Sequence, residues 1–147
     1  MIFDFYIFNL KKVLVFGTFD GLHPGHINFF AQAKKLGGYL VSVVARDVTV
    51  KEVKGRLPKR NELLRLKMVK QCELIDEAML GNFGNPYEII KKIRPDIIAL
   101  GYDQTSFTAN LESELKKAAI PAKIVRLKPY KPENFKSSLI KKREELN

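Results

Sequence analysis

The residue types that could carry chemistry are concentrated in ten consecutive positions, Gly17-Thr18-Phe19-Asp20-Gly21-Leu22-His23-Pro24-Gly25-His26. The chain has 2 histidines, and both stand here, three residues apart. Residues at that spacing share one face of a helix, so the two imidazoles are predicted to point the same way. Pro24 sits where the first turn of a helix loses nothing by lacking an N–H. A helix start also presents unpaired N–H groups and the positive end of the helix dipole, which attract anions. Two imidazoles on such a turn could both donate to one phosphate. Two blander readings fit the same residues: a satisfied helix cap, or a zinc pair, although no further ligands of zinc type cluster nearby.

The elements around this stretch must position it. Val13 to Phe16 is a short apolar, β-branched run that reads as a buried strand, and Ile27 to Leu36 reads as a helix ended by Gly37-Gly38. Tyr39 to Ala45 is a near-continuous apolar run, the signature of a strand covered on both faces. Arg46 to Pro58 reads as a loop with a basic tract of Lys51, Lys54, Arg56 and, just beyond it, Lys59. Such a tract is either a solvated face or a set of phosphate contacts. Leu63, Leu64, Leu66, Met68 and Val69 suggest an amphipathic helix over residues 59–71, starting just after Pro58. Residues 74–80 form a third strand, 87–93 a short helix halted before Pro95, and Asp96 to Leu100 a fourth strand running into Gly101-Tyr102-Asp103-Gln104. Ala109 to Ala119 is a helix and Ala122 to Leu127 a fifth strand. A loop held open by Pro129 and Pro132 follows, containing Tyr130, and a last element starts at Ser137-Ser138.

Strands alternating with helices predict an α/β fold: a doubly wound parallel sheet of about five strands in one domain. Ligands bind such sheets at the carboxyl ends of the strands, which makes Gly101 and Asp103 candidate nucleotide contacts. Asp103 is a candidate for a ribose hydroxyl, a base edge or a metal-bound water, if it does not simply form the turn. At 147 residues the chain suffices for one domain with a real core, and its formal charge of +10 predicts anionic partners. The 1 cysteine, Cys72, excludes an intramolecular disulfide and fits a reducing compartment, so the protein is expected in the cytoplasm. Residues 1–10 are apolar and aromatic but lack a basic leader region, carry Asp4 and run straight into Lys11-Lys12. They read as an N-terminal extension, 1–11, ahead of a domain over 12–147. Nothing approaches the length of a spanning helix, so no membrane partner is expected.

The ten-residue stretch, in its strand-loop-helix setting, resembles the signature of the HxGH nucleotidyltransferases, the cytidylyltransferase-like superfamily. The resemblance runs from Lys12 onward and implies a Rossmann-like sheet with the nucleotide over its carboxyl edge. It also implies the reaction: a phosphate oxygen of an acceptor attacks the α-phosphorus of a nucleoside triphosphate, and pyrophosphate leaves. By this resemblance His23 and His26 donate to the α- and β-phosphates, while Gly17, Thr18, Phe19, Pro24 and Gly25 line the nucleotide. Lys51 or Lys54 and Arg65 neutralise charge. Arg65 resembles the arginine of the family's second motif, with Glu62 as its acidic companion. Ser137 and Ser138, in a degenerate form of the terminal Ile-Ser-Ser-Thr-x-Ile-Arg motif, cap a helix toward the phosphates. Magnesium would accompany the triphosphate, held mostly by the phosphates, and Asp20 either reaches it through water or shapes the turn.

For the acceptor, the glycerol-3-phosphate cytidylyltransferases characteristically carry Gly-Asp-Asp-Trp after the fourth strand and Arg-Thr-x-Gly-Ile-Ser before the last helix. This chain has Gly101-Tyr102-Asp103-Gln104 and no such arginine motif. Those residues, Tyr130 ahead of Ser137-Ser138, and the compact length resemble the archaeal-type FAD synthases better. That implies ATP and FMN as substrates in place of CTP and glycerol-3-phosphate, with Asp103 and Tyr130 near the nucleoside. The superfamily also implies a possible homodimer. A non-catalytic module binding nucleic acid through its basic surface is the alternative from another class. The aromatics fall mostly in predicted strands and do not interleave with basic residues as a stacking platform requires, so nucleic acid is not the expected partner.

Overall fold

A computed structural model describes residues 9–105 and 108–130. The elements follow one another as β1 (Lys11–Gly17), α1 (Pro24–Gly37), β2 (Gly38–Val44), α2 (Asp47–Lys54), α3 (Glu62–Lys70), β3 (Glu77–Leu80), α4 (Glu88–Ile93), β4 (Ile97–Leu100), a 3-10 turn at Thr108–Asn110, α5 (Leu111–Lys117) and β5 (Lys123–Arg126). All strand pairs are parallel and the sheet order is β3-β2-β1-β4-β5. The chain winds outward from β1 in one direction, then returns and winds outward in the other. β1 and β4 are therefore neighbours whose following segments diverge, the arrangement that leaves a crevice at the carboxyl edge.

Period-2 alternation decides which side chain faces which layer. Leu14 and Phe16 of β1, with Val41, Val43, Ile98 and Leu100, pack against Ile89, Ile90, Ile93, Leu111 and Leu115 of α4 and α5. Val13 and Val15, with Leu40, Val44 and Ala99, pack against Phe30 and Ala33 of α1 and Val69 of α3. Helices on both faces explain why the strands read as continuous apolar runs. Among the described residues, no helix is long and apolar enough to cross a membrane.

The expected fold class holds, and three segments differ in detail. The expected loop over 46–58 is largely helix α2, closed by Gly55 at φ 78°. Its β-branched residues Val48, Thr49, Val50 and Val53 masked the helical pattern, whereas Asp47 in the first turn and Lys51 and Lys54 in the last suit the helix dipole. Helix α3 starts at Glu62, not after Pro58, because Asn61 caps it by accepting from Leu64 N at 2.9 Å. The third strand is only Glu77–Leu80. Ahead of it, Leu74 and Ile75 pack against the core while Asp76 turns its carboxylate to the sheet. Of the expected extension, residues 1–8 lie outside the described residues, and the sheet begins at Lys11.

Two aspartates close the amino edge of the sheet in the same way. Asp76 Oδ2 accepts from Leu40 N at 2.8 Å and Asp96 Oδ2 accepts from Lys12 N at 2.8 Å, while Asp76 N and Asp96 N donate back to Leu40 O and Lys12 O. Each satisfies a strand N–H one residue before the neighbouring strand begins its ladder, since β3 pairs from Val41 and β4 from Val13. Asp76→Ala should lower unfolding free energy by about 1–2 kcal/mol in urea titration. Asp76→Asn, which keeps an acceptor for Leu40 N, should recover most of that loss.

Candidate active site

The crevice begins where β1 ends. Phe19 adopts φ 52°, a left-handed conformation unusual for a bulky residue, and its ring folds back beneath Gly17. A Cβ on Gly17 would lie 2.5 Å from the Phe19 ring, so a side chain there would displace it. The ring is nearly fully buried against Phe30 and stands edge-on to His26, with centroids 5.5 Å apart. Phe19 thus sets the floor on which His26 rests.

The two histidines form a reciprocal cap at the start of α1. His23 is the N-cap residue, and its Nδ1 accepts from Gly25 N at 3.1 Å. His26 Nδ1 accepts from His23 N at 3.3 Å. The rings stack with centroids 3.8 Å apart and planes 29° from parallel. An accepting ring nitrogen carries no proton, so the N–H of each imidazole sits on Nε2. Gly25 permits the arrangement, since a Cβ there would come within 2.8 Å of His23 Cε1. The cap reading and the phosphate reading are therefore compatible: capping occupies Nδ1 and makes Nε2–H the donor of each ring, that of His26 being shared with the Gly21 backbone.

Burial pushes the His26 imidazole down to about 4, helped by the neighbouring His23 and by the Lys54 ammonium and opposed by a backbone hydrogen bond at Gly21. His26 is consequently neutral near pH 7. Of the two lysines expected near the phosphates, Lys54 is the one whose charge reaches His26. Lys51 lies exposed one turn earlier on α2. Tyr130 reaches the same helix start, its Cδ1 falling 3.6 Å from the position a Gly25 Cβ would take.

Arg65 and Asp20 do not face this space. Arg65 has 0% exposure, and its guanidinium donates from Nε to Arg60 O at 2.9 Å, from Nη1 to Thr18 O at 2.7 Å and from Nη2 to Asp47 Oδ1 at 2.7 Å. The expected charge neutralisation by Arg65 is thus corrected to a scaffold role, and its acidic companion is Asp47, not Glu62. Glu62 instead accepts from Arg46 Nη1 at 3.0 Å and from Asp47 N at 3.1 Å, while Asp47 Oδ2 accepts from Glu62 N at 3.2 Å. The starts of α2 and α3 are in this way tied to each other. Asp20 accepts from Lys59 N at 2.7 Å and Arg60 N at 2.9 Å. Burial pushes its carboxyl up, but those two bonds and the Arg60 guanidinium prevail and hold it below the usual value. Both of its oxygens serve the turn, the second of the two roles expected for it. Among the described residues no group of three or more His, Cys, Asp or Glu side chains could hold a metal ion.

The far wall is the turn after β4. Gln104 N donates to Gly101 O at 3.1 Å, and Asp103 stands exposed on this turn. Gln104 Nε2 reaches Phe16 O at 3.4 Å, which brings Gly101 and Asp103 beside the end of β1. Ser137 and Ser138 lie outside the described residues. Asp47, Gln104 and Arg126 escaped sequence reasoning as site-shaping residues. An acidic residue in a helix's first turn was the available signal for Asp47, whereas long-range side-chain to backbone bonds leave none.

A family profile described as cytidylyltransferase-like matches residues 14–143. The chain belongs to the cytidylyltransferase-like family. Family relatives include a protein of Aciduliprofundum boonei named FAD synthase, 46% identical over 121 residues that make up 82% of this chain and 80% of the relative. Another of that name, from Methanosarcina barkeri, is 48% identical over 118 residues, covering 80% of this chain and 84% of the relative. Among solved structures, a Thermoplasma volcanium protein described as a lipopolysaccharide core biosynthesis protein matches with a TM-score of 0.78 and 41% identity, covering 82% of this chain and 98% of that one.

Two outcomes follow for the cytidylyltransferase-like site. A base whose folded pKa is depressed contributes stability above its unfolded pKa and loses it as pH falls. His26 should therefore cost the fold up to about 3 kcal/mol as pH drops from about 6.5 toward 4. Urea midpoints measured across that window should fall in the wild type and flatten in His26→Asn. Arg65→Met, which strands Asp47 and two buried carbonyls, should lower stability by about 2–4 kcal/mol by the same titration.

Proposed function

We propose that this chain is an FAD synthase, transferring the AMP moiety of ATP to FMN. The observation that carries the reading is the identity of 46–48% to proteins of that name across about four-fifths of each chain. An oxygen of the FMN phosphate attacks the α-phosphorus of ATP. As that P–O bond forms, the bond from the α-phosphorus to the β-phosphate bridging oxygen breaks, and pyrophosphate leaves with the electron pair. No covalent enzyme intermediate is required. The demand on the protein is alignment of two polyanions and stabilisation of charge on the phosphoryl oxygens.

In this reading the Nε2–H groups of His23 and His26 donate to the α- and β-phosphate oxygens at the start of α1. Thr18 and Phe19 supply the backbone that shapes the strand end, and Gly25 lets the ligand approach the helix start closely. Lys54, with Lys51 one turn away, brings full positive charge from α2. Asp103 and Gly101 meet the nucleoside from the β4 side, with Tyr130 closing the helix side. Among the described residues no cluster of side chains offers magnesium a cage, and both Asp20 oxygens accept from the backbone of Lys59 and Arg60. Magnesium bound with the triphosphate would supply charge neutralisation on the phosphate oxygens, with no described side chain required to hold it.

The deciding assay is pyrophosphate release with magnesium, crossing ATP and CTP against FMN and glycerol-3-phosphate, with product identification. Release with ATP and FMN matched by FAD formation is expected. Release confined to CTP and glycerol-3-phosphate would replace the acceptor and keep the mechanism, and silence in all four would overturn the reading. His23→Asn and His26→Asn separate cap from chemistry, since an asparagine oxygen can take the place of Nδ1 while nothing replaces Nε2. Both variants should stay within about 1 kcal/mol of wild-type stability and lose turnover by about 100- to 1000-fold. Wild-type turnover in the folded variants would remove the histidines from the mechanism.

A further inference from the structure

The turn leaving β4 is pinned from both neighbouring strands, and the pins are side chains the reaction does not require. Arg126, the last residue of β5, stands in register opposite Leu100. Its Nη1 donates to Gly101 O at 2.8 Å and to Gln104 O at 2.5 Å, the carbonyls at the two ends of the turn. Gln104 completes the clamp: Oε1 accepts from Gly101 N at 3.2 Å and Nε2 donates to Phe16 O at 3.4 Å on β1. The turn also borders α1, with Phe29 Cε2 lying 3.8 Å from where a Gly101 Cβ would be. Four residues of loop are thereby held against β1 and β5 and set beside α1.

What this clamp holds out is the Asp103 carboxylate. Among the described residues it has no hydrogen-bond or ion-pair partner, although the Arg126 guanidinium grips the same turn. Arg126 Nη1 donates to the two carbonyls of the turn and makes no ion pair with the carboxylate. A free carboxylate beside a site built for polyanions repels phosphate and is suited to neutral donors. The neutral donors a nucleotide carries are its ribose hydroxyls and the exocyclic amine of its base, and a carboxylate accepts two adjacent hydroxyls with its two oxygens.

We infer that Arg126 is a positioning residue that gives the site its selectivity for ribose over deoxyribose, by holding the Gly101–Gln104 turn so that Asp103 accepts from the vicinal hydroxyls of the nucleotide. The inference rests on the nucleotide site described under the proposed function. Arg126 itself touches no ligand; it acts through the turn. The partner chemistry is a nucleoside triphosphate with an intact 2′,3′-diol.

The test measures binding and turnover separately, so that the two readings fail independently. Dissociation constants for ATP, 2′-deoxy-ATP and 3′-deoxy-ATP are measured by calorimetry on the full chain, and FAD formation is followed with the same nucleotides. Wild type should favour ATP over both deoxy analogues by about 10- to 100-fold. Arg126→Met should bring the ratio to within about threefold, Arg126→Lys should restore part of it, and Asp103→Asn should lower it as Arg126→Met does. Asp76→Ala, a destabilising change at the opposite edge of the sheet, should leave the ratio at its wild-type value and so control for a merely structural effect. A wild-type protein that does not discriminate, or a folded Arg126→Met variant that discriminates as well as wild type, overturns the inference. If the binding ratio behaves as expected while no FAD forms, the inference stands and the proposed reaction falls.

Discussion

Three segments of chain converge on one guanidinium that solvent never reaches. Arg65 ties the carbonyl of Thr18 at the end of β1, the carbonyl of Arg60 in the loop before α3, and the carboxylate of Asp47 at the start of α2. Burying a full charge is unfavourable unless nearly every donor is met, and a planar fork with fixed donor directions meets that condition better than an ammonium could. The consequence travels along the chain. With Thr18 O held, the following residue is delivered in the left-handed conformation that sends the Phe19 ring under Gly17 and edge-on to His26. The position of an imidazole at the mouth of the crevice thus depends on a side chain that never enters it.

The histidine pair shows why one residue type serves two ends at this position. An N-cap needs an acceptor, and a phosphate site needs a donor. Imidazole supplies both on opposite sides of one ring, and stacking two of them in a reciprocal cap fixes both Nε2–H directions together. Neutrality is part of the arrangement. Two imidazolium ions with ring centroids 3.8 Å apart, with Lys54 nearby, would repel one another in the absence of an anion. A neutral His26 lets the empty site fold without that repulsion and still donates when a phosphate arrives.

Sheet, strand number, the α1 start and the residues of its first turn were legible because they rest on local signals: period-2 apolar runs, a proline at a helix start, glycines where a helix stops. Helix α2 was not, since its β-branched residues carry low helix propensity and its stability comes from contacts made across the chain, Asp47 with Glu62 and Arg65. The same reason separates the readings of Arg65 and Lys54. Sequence spacing marks both as basic residues near a phosphate site, but only the fold reveals that one is walled in by carbonyls and the other's charge is felt at His26. Sequence alone allows Asp20 two roles, and the N–H groups of Lys59 and Arg60, about forty positions away, engage it in the turn.

Basic composition therefore overstates what the site can offer an anion. The chain carries 26 lysines and arginines, yet three arginines flanking the crevice are directed at the protein. Arg65 holds Thr18 and Arg60 carbonyls, Arg46 holds the Gly81 carbonyl and Glu62, and Arg126 holds the turn after β4. Guanidinium is favoured for this work because it satisfies several fixed acceptors at once and cannot lose its charge. Among the described residues, the groups left to face a ligand are lysines on a short helix, two imidazoles and a carboxylate. Rigid cations build the walls and adaptable donors line the opening, which is the division of labour expected of a site that must grip a polyanion, let its charge redistribute and then release it.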